Sequence, residues 1–165
     1  MTRLITTVLG VGLLRPAPGT WGSAFAIGLG LVILRYAGFP VFMVAILAVT
    51  ALGFWAVAKE LHNRPGEDPG EIVIDEAAGQ WIALAFPAAA FWWRGWETWM
   101  PYPGWLAAFL FFRLFDIWKP WLVGRADRRH DAAGVMLDDL WAGLFAGIAT
   151  VIAAGAAHGV IAVLK

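Results

Sequence analysis

Residues 36–58 read YAGFPVFMVAILAVTALGFWAVA and residues 140–164 read LWAGLFAGIATVIAAGAAHGVIAVL, and neither stretch holds an Asp, Glu, Lys or Arg. Each exceeds the roughly 18 apolar residues that mark a bilayer-crossing helix. Working outward, three further uncharged runs cover residues 16–34, 77–93 and 98–112. These are shorter or begin with turn residues, and the last continues its apolar pattern through Arg113 and Leu114 toward Trp118, so they read as spans with charged ends. Composition agrees. Of 165 residues, 61% are hydrophobic and 15% charged, against about 45–50% and about 25% in water-soluble domains, and the mean hydropathy is +0.70. The expected fold is all-α, a polytopic membrane helical bundle with about four to five spans, in one domain over residues 1–165.

Several classes fall away. Twelve basic and twelve acidic side chains balance, leaving no basic stripe for nucleic acid. With no cysteine there is no disulfide framework, thiolate zinc site, iron–sulfur cluster or cysteine nucleophile. Arg3 followed by apolar Leu4–Leu14 has the look of a short signal peptide, but Arg15, Pro16 and the lack of a small-residue cleavage site favour a helix at the interface or packed on the bundle. Glycines four apart, Gly143 with Gly147 and Gly155 with Gly159, suit close helix approach in lipid. Oligomeric state is not legible.

Charge is concentrated in two windows. Residues 59–76 hold Lys59, Glu60, Arg64, Glu67, Asp68, Glu71, Asp75 and Glu76, and residues 113–139 hold ten more, together 18 of 24 charges. In an up-and-down path both windows emerge on one side with Arg3 and Arg15, placing nine Lys and Arg there against Arg35, Arg94 and Lys165 opposite. The positive-inside rule makes the charged side cytoplasmic. The other end carries Trp92, Trp93, Trp96, Trp99, Tyr102 and Trp105, as suits amphipathic rings at a headgroup layer.

Acids are costly in hydrocarbon unless something neutralises or uses them. Here they stand at span ends. Asp75 and Glu76 open the third span in DPGEIVIDEAAG (68–79), Asp116 lies near the end of the fourth in FRLFDIWKP (112–120), and Asp138 and Asp139 open the fifth in GVMLDDLWAG (134–143). Helix capping accounts for acids at N-termini, but Asp116 sits where the dipole disfavours it. Arg113, Asp116 and Lys119 share one helix face by their spacing of three, either as a charge ladder or as a cation ligand flanked by anion-binding groups. Five carboxylates from three spans converging on one face need a cation. Oxygen ligands without Cys or His suit Mg²⁺, which keeps waters and shares its sphere with phosphate; helix N-termini and flanking Arg or Lys favour the phosphate itself. The inferred ligand is a phosphate ester at the water–lipid boundary. PAPGTWGS (16–23) is a turn into the first span, with Thr20 and Ser23 as caps or phosphate donors. Of the histidines, His158 reads as a hydrogen-bonded packing residue, and His130 lacks the companion motif of a phosphohistidine enzyme.

Together and in order, PAPGTWGS, DPGEIVIDEAAG, FRLFDIWKP and GVMLDDLWAG resemble the phosphatidylglycerophosphatase A family over nearly the whole chain. The resemblance implies a multi-pass phosphatase of the bacterial cell inner membrane, Mg²⁺-dependent, hydrolysing phosphatidylglycerophosphate to phosphatidylglycerol and phosphate in glycerophospholipid biosynthesis, with its active site facing the cytoplasm. The metal ligands it implies are Asp75, Glu76, Asp138 and Asp139. Asp75, Asp116, Asp138, Arg113 and Lys119 are implied as catalytic, and Thr20, Arg113 and Lys119 as phosphate-binding. The loop between Lys119 and the last motif departs from the family's expected pattern without losing an acidic position.

The main alternative is a membrane transporter or channel using membrane-edge carboxylates, which predicts acids deep in the spans and a path to the far side. A non-catalytic assembly subunit built on the glycine faces is a third class. A CDP-alcohol phosphotransferase needs a longer acidic array than the chain holds.

Overall fold

The computed structural model describes residues 1–62, 69–95, 99–129 and 131–163; Arg64, Glu67, Asp68, Trp96, His130 and Lys165 lie outside them. The described residues form seven α-helices, α1 (Thr2–Thr6), α2 (Pro18–Tyr36), α3 (Gly38–His62), α4 (Ile74–Trp93), α5 (Tyr102–Trp118), α6 (Leu122–Asp127) and α7 (Ala132–Val163), with a 3₁₀ turn at Val11–Leu13 and no strand among them. Two helices, α3 and the Ala132–His158 part of α7, are long and apolar enough to cross a membrane. Both leave most of that apolar surface uncovered, with Val44, Leu47, Trp55 and Ile152 each more than half exposed.

The core is built around α4. Ala77, Trp81 and Leu84 pack with Ala26 and Ile27 of α2 and Phe42 and Ile46 of α3. Ala83 meets Ala108 and Phe112 of α5 and Ala142 and Ala146 of α7, while Ile74 and Ala78 meet Val57 of α3 and Met136 of α7. Apolar residues thus line α4 on every side, as expected of a helix surrounded by others. Glycine sets how closely α7 approaches. A side chain at Gly143 would collide with the backbone of Gly79, and one at Gly147 with Phe86, so this glycine pair does serve helix contact. Gly155 faces open space instead.

Local chemistry explains most helix starts. Pro18 opens α2 and Pro103 lies in the first turn of α5, where a missing N–H costs nothing. Asp131 caps α7 by accepting the Gly134 N–H at 2.6 Å. This corrects one expectation: α7 begins at Ala132, so Asp138 and Asp139 are its seventh and eighth residues and do not open it. The N-terminal region also differs from the helix expected there. Only Thr2–Thr6 is α-helical, since Val8, Leu9 and Gly10 then take left-handed backbone angles and fold the chain back. The Thr6 carbonyl accepts the Val73 N–H at 2.8 Å, fixing the residue that precedes α4.

Candidate active site

One end of the bundle gathers the N-termini of α2 and α4, the C-terminus of α5 and the second turn of α7. The opposite end carries aromatic side chains, with Tyr36 edge-on to Trp99 and Phe39 stacked on Trp92.

Asp75, Glu76 and Asp139 each bring a carboxylate oxygen to within 4.8 Å of the other two. Asp75 and Asp139 are 8% and 4% exposed. Their placement follows from the backbone. Asp75 and Glu76 occupy the first turn of α4, where the dipole favours negative charge, and the Asp75 carboxylate accepts the Glu76 N–H at 3.0 Å. Asp139 lies beyond the reach of its own helix terminus, so capping does not account for it. It is delivered to α4 by the Gly79 contact, where a side chain would strike the Asp139 backbone.

Two buried oxygens of this group, Glu76 Oε2 and Asp139 Oδ1, have no hydrogen-bond partner. Unpaired buried polar atoms are rare and costly, and like-charged carboxylates this close repel by several kcal/mol, at about 3.5 kcal/mol per pair at 4.8 Å with an effective dielectric near ~20. A divalent cation answers both costs at once. Hard oxygen donors with open positions are the donor set that Mg²⁺ takes.

Around these three carboxylates stand the other charged groups. Arg113 bonds Asp116 one turn along α5, with its Nε buried and unpartnered. Gly19, in the first turn of α2, packs so closely that a side chain there would meet both the Glu76 carboxylate and the Arg113 guanidinium. Thr20 is therefore next to the site at a helix N-terminus, where free N–H groups suit an anion. Ser23 lies deeper, fully buried, and donates its hydroxyl to the Gly19 carbonyl at 2.7 Å.

Asp138 takes a different part from its neighbour. Its carboxylate accepts the Asp139 N–H at 3.0 Å and a bond from Lys119 Nζ at 3.2 Å. Lys119 also bonds Asp127. Burial works against the Lys119 charge, but the hydrogen bond to Asp127 and the charge and hydrogen bond of Asp138 outweigh it and hold the ammonium above its ordinary range. Side-chain exposure rises from 11% at Asp138 to 34% at Lys119 and 43% at Asp127, so the site opens on this side.

The structure thus brings together Asp75, Glu76 and Asp139 as one group, Arg113 with Asp116 beside Glu76, and Lys119 with Asp138 beside Asp139. Sequence reasoning missed three residues. Gly19 was hidden within a motif read for its hydroxyls. Gln80 is fully buried with both amide atoms unpartnered, and its place one helical turn after Glu76 was the available signal. Asp127 reaches Lys119 across a bend that no spacing rule announces. His158 bonds the Ala154 carbonyl of its own helix at 2.7 Å, hydrogen-bonded as expected but exposed and so not a packing residue.

Comparison with known proteins adds a second line. The family model described as Phosphatidylglycerophosphatase A matches residues 4–154. A Haemophilus influenzae protein named Phosphatidylglycerophosphatase A is 35% identical, covering 88% of this chain and 83% of its own. One of the same name from Escherichia coli is 32% identical, covering 88% and 79%. A Bacteroides thetaiotaomicron protein named "Putative phosphatidylinositol-3-phosphatase" is 35% identical over 91% of both chains. No solved structure matches the chain.

Proposed function

The chain belongs to the phosphatidylglycerophosphatase A family and is a phosphoric monoester hydrolase, and from that premise we propose that it hydrolyses phosphatidylglycerophosphate to phosphatidylglycerol and phosphate, with Mg²⁺, in glycerophospholipid biosynthesis. The observation that carries this reading is the meeting of Asp75, Glu76 and Asp139, with unpartnered oxygens, beside Arg113 and Lys119. The protein sits in the bacterial inner membrane with four to five helices crossing and the site at the cytoplasmic edge. Support comes from the two long apolar helices, the bacterial relatives and the excess of Lys and Arg on the site's side.

Asp75, Glu76 and Asp139 would hold the Mg²⁺, which when bound polarises a phosphoryl oxygen and acidifies water. Arg113 and Lys119 bind phosphate oxygens and offset the charge that spreads over them as the ester bond loosens. The first turn of α2, with Thr20, offers N–H and hydroxyl donors to the same group. Asp116 orients Arg113. Asp138 stands between the carboxylate group and Lys119, where it accepts the proton of the attacking water. The water oxygen joins phosphorus, the bond to the glycerol oxygen breaks, and that oxygen leaves as a hydroxyl by taking up a proton from solvent, to which Asp138 releases the one it accepted.

The charge distribution argues against a transporter or channel. Among the described residues the acids gather at one end of the bundle, and no chain of them leads to the other. The deciding experiment measures phosphate release by purified protein from phosphatidylglycerophosphate, with Mg²⁺ titrated, EDTA as control, and phosphatidylinositol 3-phosphate in parallel. Release that needs Mg²⁺ and prefers phosphatidylglycerophosphate supports the reading. Release only from the inositol lipid, or from neither, refutes it.

A further inference from the structure

The geometry points to Asp127 as the residue that positions Lys119 for the substrate phosphate, an assignment that rests on the phosphatase reading above. Lys119 ends α5 in the left-handed conformation, φ 51°, and Trp121 follows at φ 45°. Both are unfavourable for residues with a side chain, and a conformation of this kind persists only where surrounding contacts enforce it. Here it turns the chain sharply, so that α6 leaves the end of α5 and packs on α7. Gly124 permits this by lying where any side chain would strike the Lys119 carbonyl. The outcome is that Asp127, the last residue of α6, faces the ammonium of the residue that began the turn.

Lys119 is thereby held between two carboxylates on different elements, Asp127 of α6 and Asp138 of α7. A lysine has a flexible stem of four carbons and no fixed donor geometry, so a single partner would draw the ammonium down onto Asp138 and against the carboxylate group. Asp127 pulls from the exposed side. Two acceptors engage two of the three N–H donors of the ammonium and leave one for a phosphate oxygen arriving through the open side. Asp127 itself is a positioning residue, acting through Lys119.

The phosphate already carries its charge when it binds, so a displaced Lys119 weakens ground state and transition state alike and raises KM more than it lowers kcat. For Asp127→Asn, KM for phosphatidylglycerophosphate is expected to rise about tenfold while kcat stays within about threefold, and Asp127→Glu is expected to restore KM. An unchanged KM, a fall in kcat with KM unmoved, or failure of Glu to restore binding overturns the assignment. Asp127→Ala is read the same way if the Asn variant does not fold; if neither folds while Glu does, Asp127 is structural and the assignment falls. Active wild type with an unaltered Asp127→Asn refutes this inference alone, whereas wild type that releases no phosphate refutes the phosphatase reading and this with it.

Discussion

Replacing Asp139 by Asn is expected to leave the protein more stable than wild type without metal and less stable than wild type with it. Three carboxylate oxygens lie within 4.8 Å of one another, and at that distance with an effective dielectric near ~20 each pair costs about 3.5 kcal/mol. Asp139 takes part in two of the three pairs, so its neutralisation relieves up to about 7 kcal/mol of repulsion. Water and local relaxation reduce the realised gain, which is expected to be on the order of 2 kcal/mol, or about 4–8 °C in melting temperature for a chain of this length. The same change removes one of the three proposed metal ligands and its charge. Saturating Mg²⁺ at a hundredfold above its Kd stabilises a binding protein by about 2.7 kcal/mol, a gain open to the wild type and largely lost to Asp139→Asn. Thermal unfolding in detergent is measured in EDTA and in Mg²⁺, with phosphate release alongside. The variant is expected to melt higher in EDTA, lower in Mg²⁺, and to be inactive. A variant that melts at or below wild type in EDTA, or that keeps the Mg²⁺ gain, refutes the reasoning.

At Gly79 a side-chain carbon would lie 2.7 Å from Phe112 and 2.8 Å from the Asp139 carbonyl carbon, so Gly79→Ala must push α7 away by more than half an ångström. The expected cost is about 1–3 kcal/mol of stability and about a hundredfold in activity, whereas Gly155→Ala, with nothing within 4 Å, leaves activity unchanged. Gln80→Leu removes a buried amide with both polar atoms unpartnered and is expected to stabilise the metal-free protein by about 1–3 kcal/mol; a lower melting temperature in EDTA contradicts this. Lys119 has its pKa raised above 10.5, and a raised base contributes stability that is whole below the unfolded value and lost as pH climbs through the folded one. Wild type is therefore expected to lose stability more steeply than Lys119→Met above pH 10.5, with the two curves parallel between about pH 8 and about pH 10 in melting measurements.

How far the sequence carried depended on whether a feature was periodic. The uncharged runs announced α3 and α7 because hydrocarbon-length apolarity has few other causes, and the ordered acidic motifs led to Asp75, Glu76 and Asp139. The spacing of three places Arg113, Asp116 and Lys119 on one face, yet it is the fold that pairs Arg113 with Asp116 while Lys119 turns to Asp127 and Asp138. The start of α7 lies earlier than the uncharged run suggests because the paired acids interrupt that run; the helix formers Ala132, Ala133, Met136 and Leu137 behind the Asp131 cap are the cue that marks it. The N-terminal region was misread as helix because apolar Val8 and Leu9 give no warning of a left-handed turn, a conformation imposed by packing and by the Thr7 hydroxyl, which accepts the Gly10 N–H at 3.1 Å.

The division of the three carboxylates between α4 and α7 also dates the enzyme's birth within its own synthesis. The ribosome delivers Asp75 and Glu76 well before Asp139, which arrives on the final helix. Until that helix threads alongside its predecessors, the earlier pair waits uncovered and has no third arm to close a grip on any ion. On the proposed metal site, a chain stalled before α7 is expected to be no enfeebled catalyst but an inert one, with activity appearing in a single stroke when α7 docks.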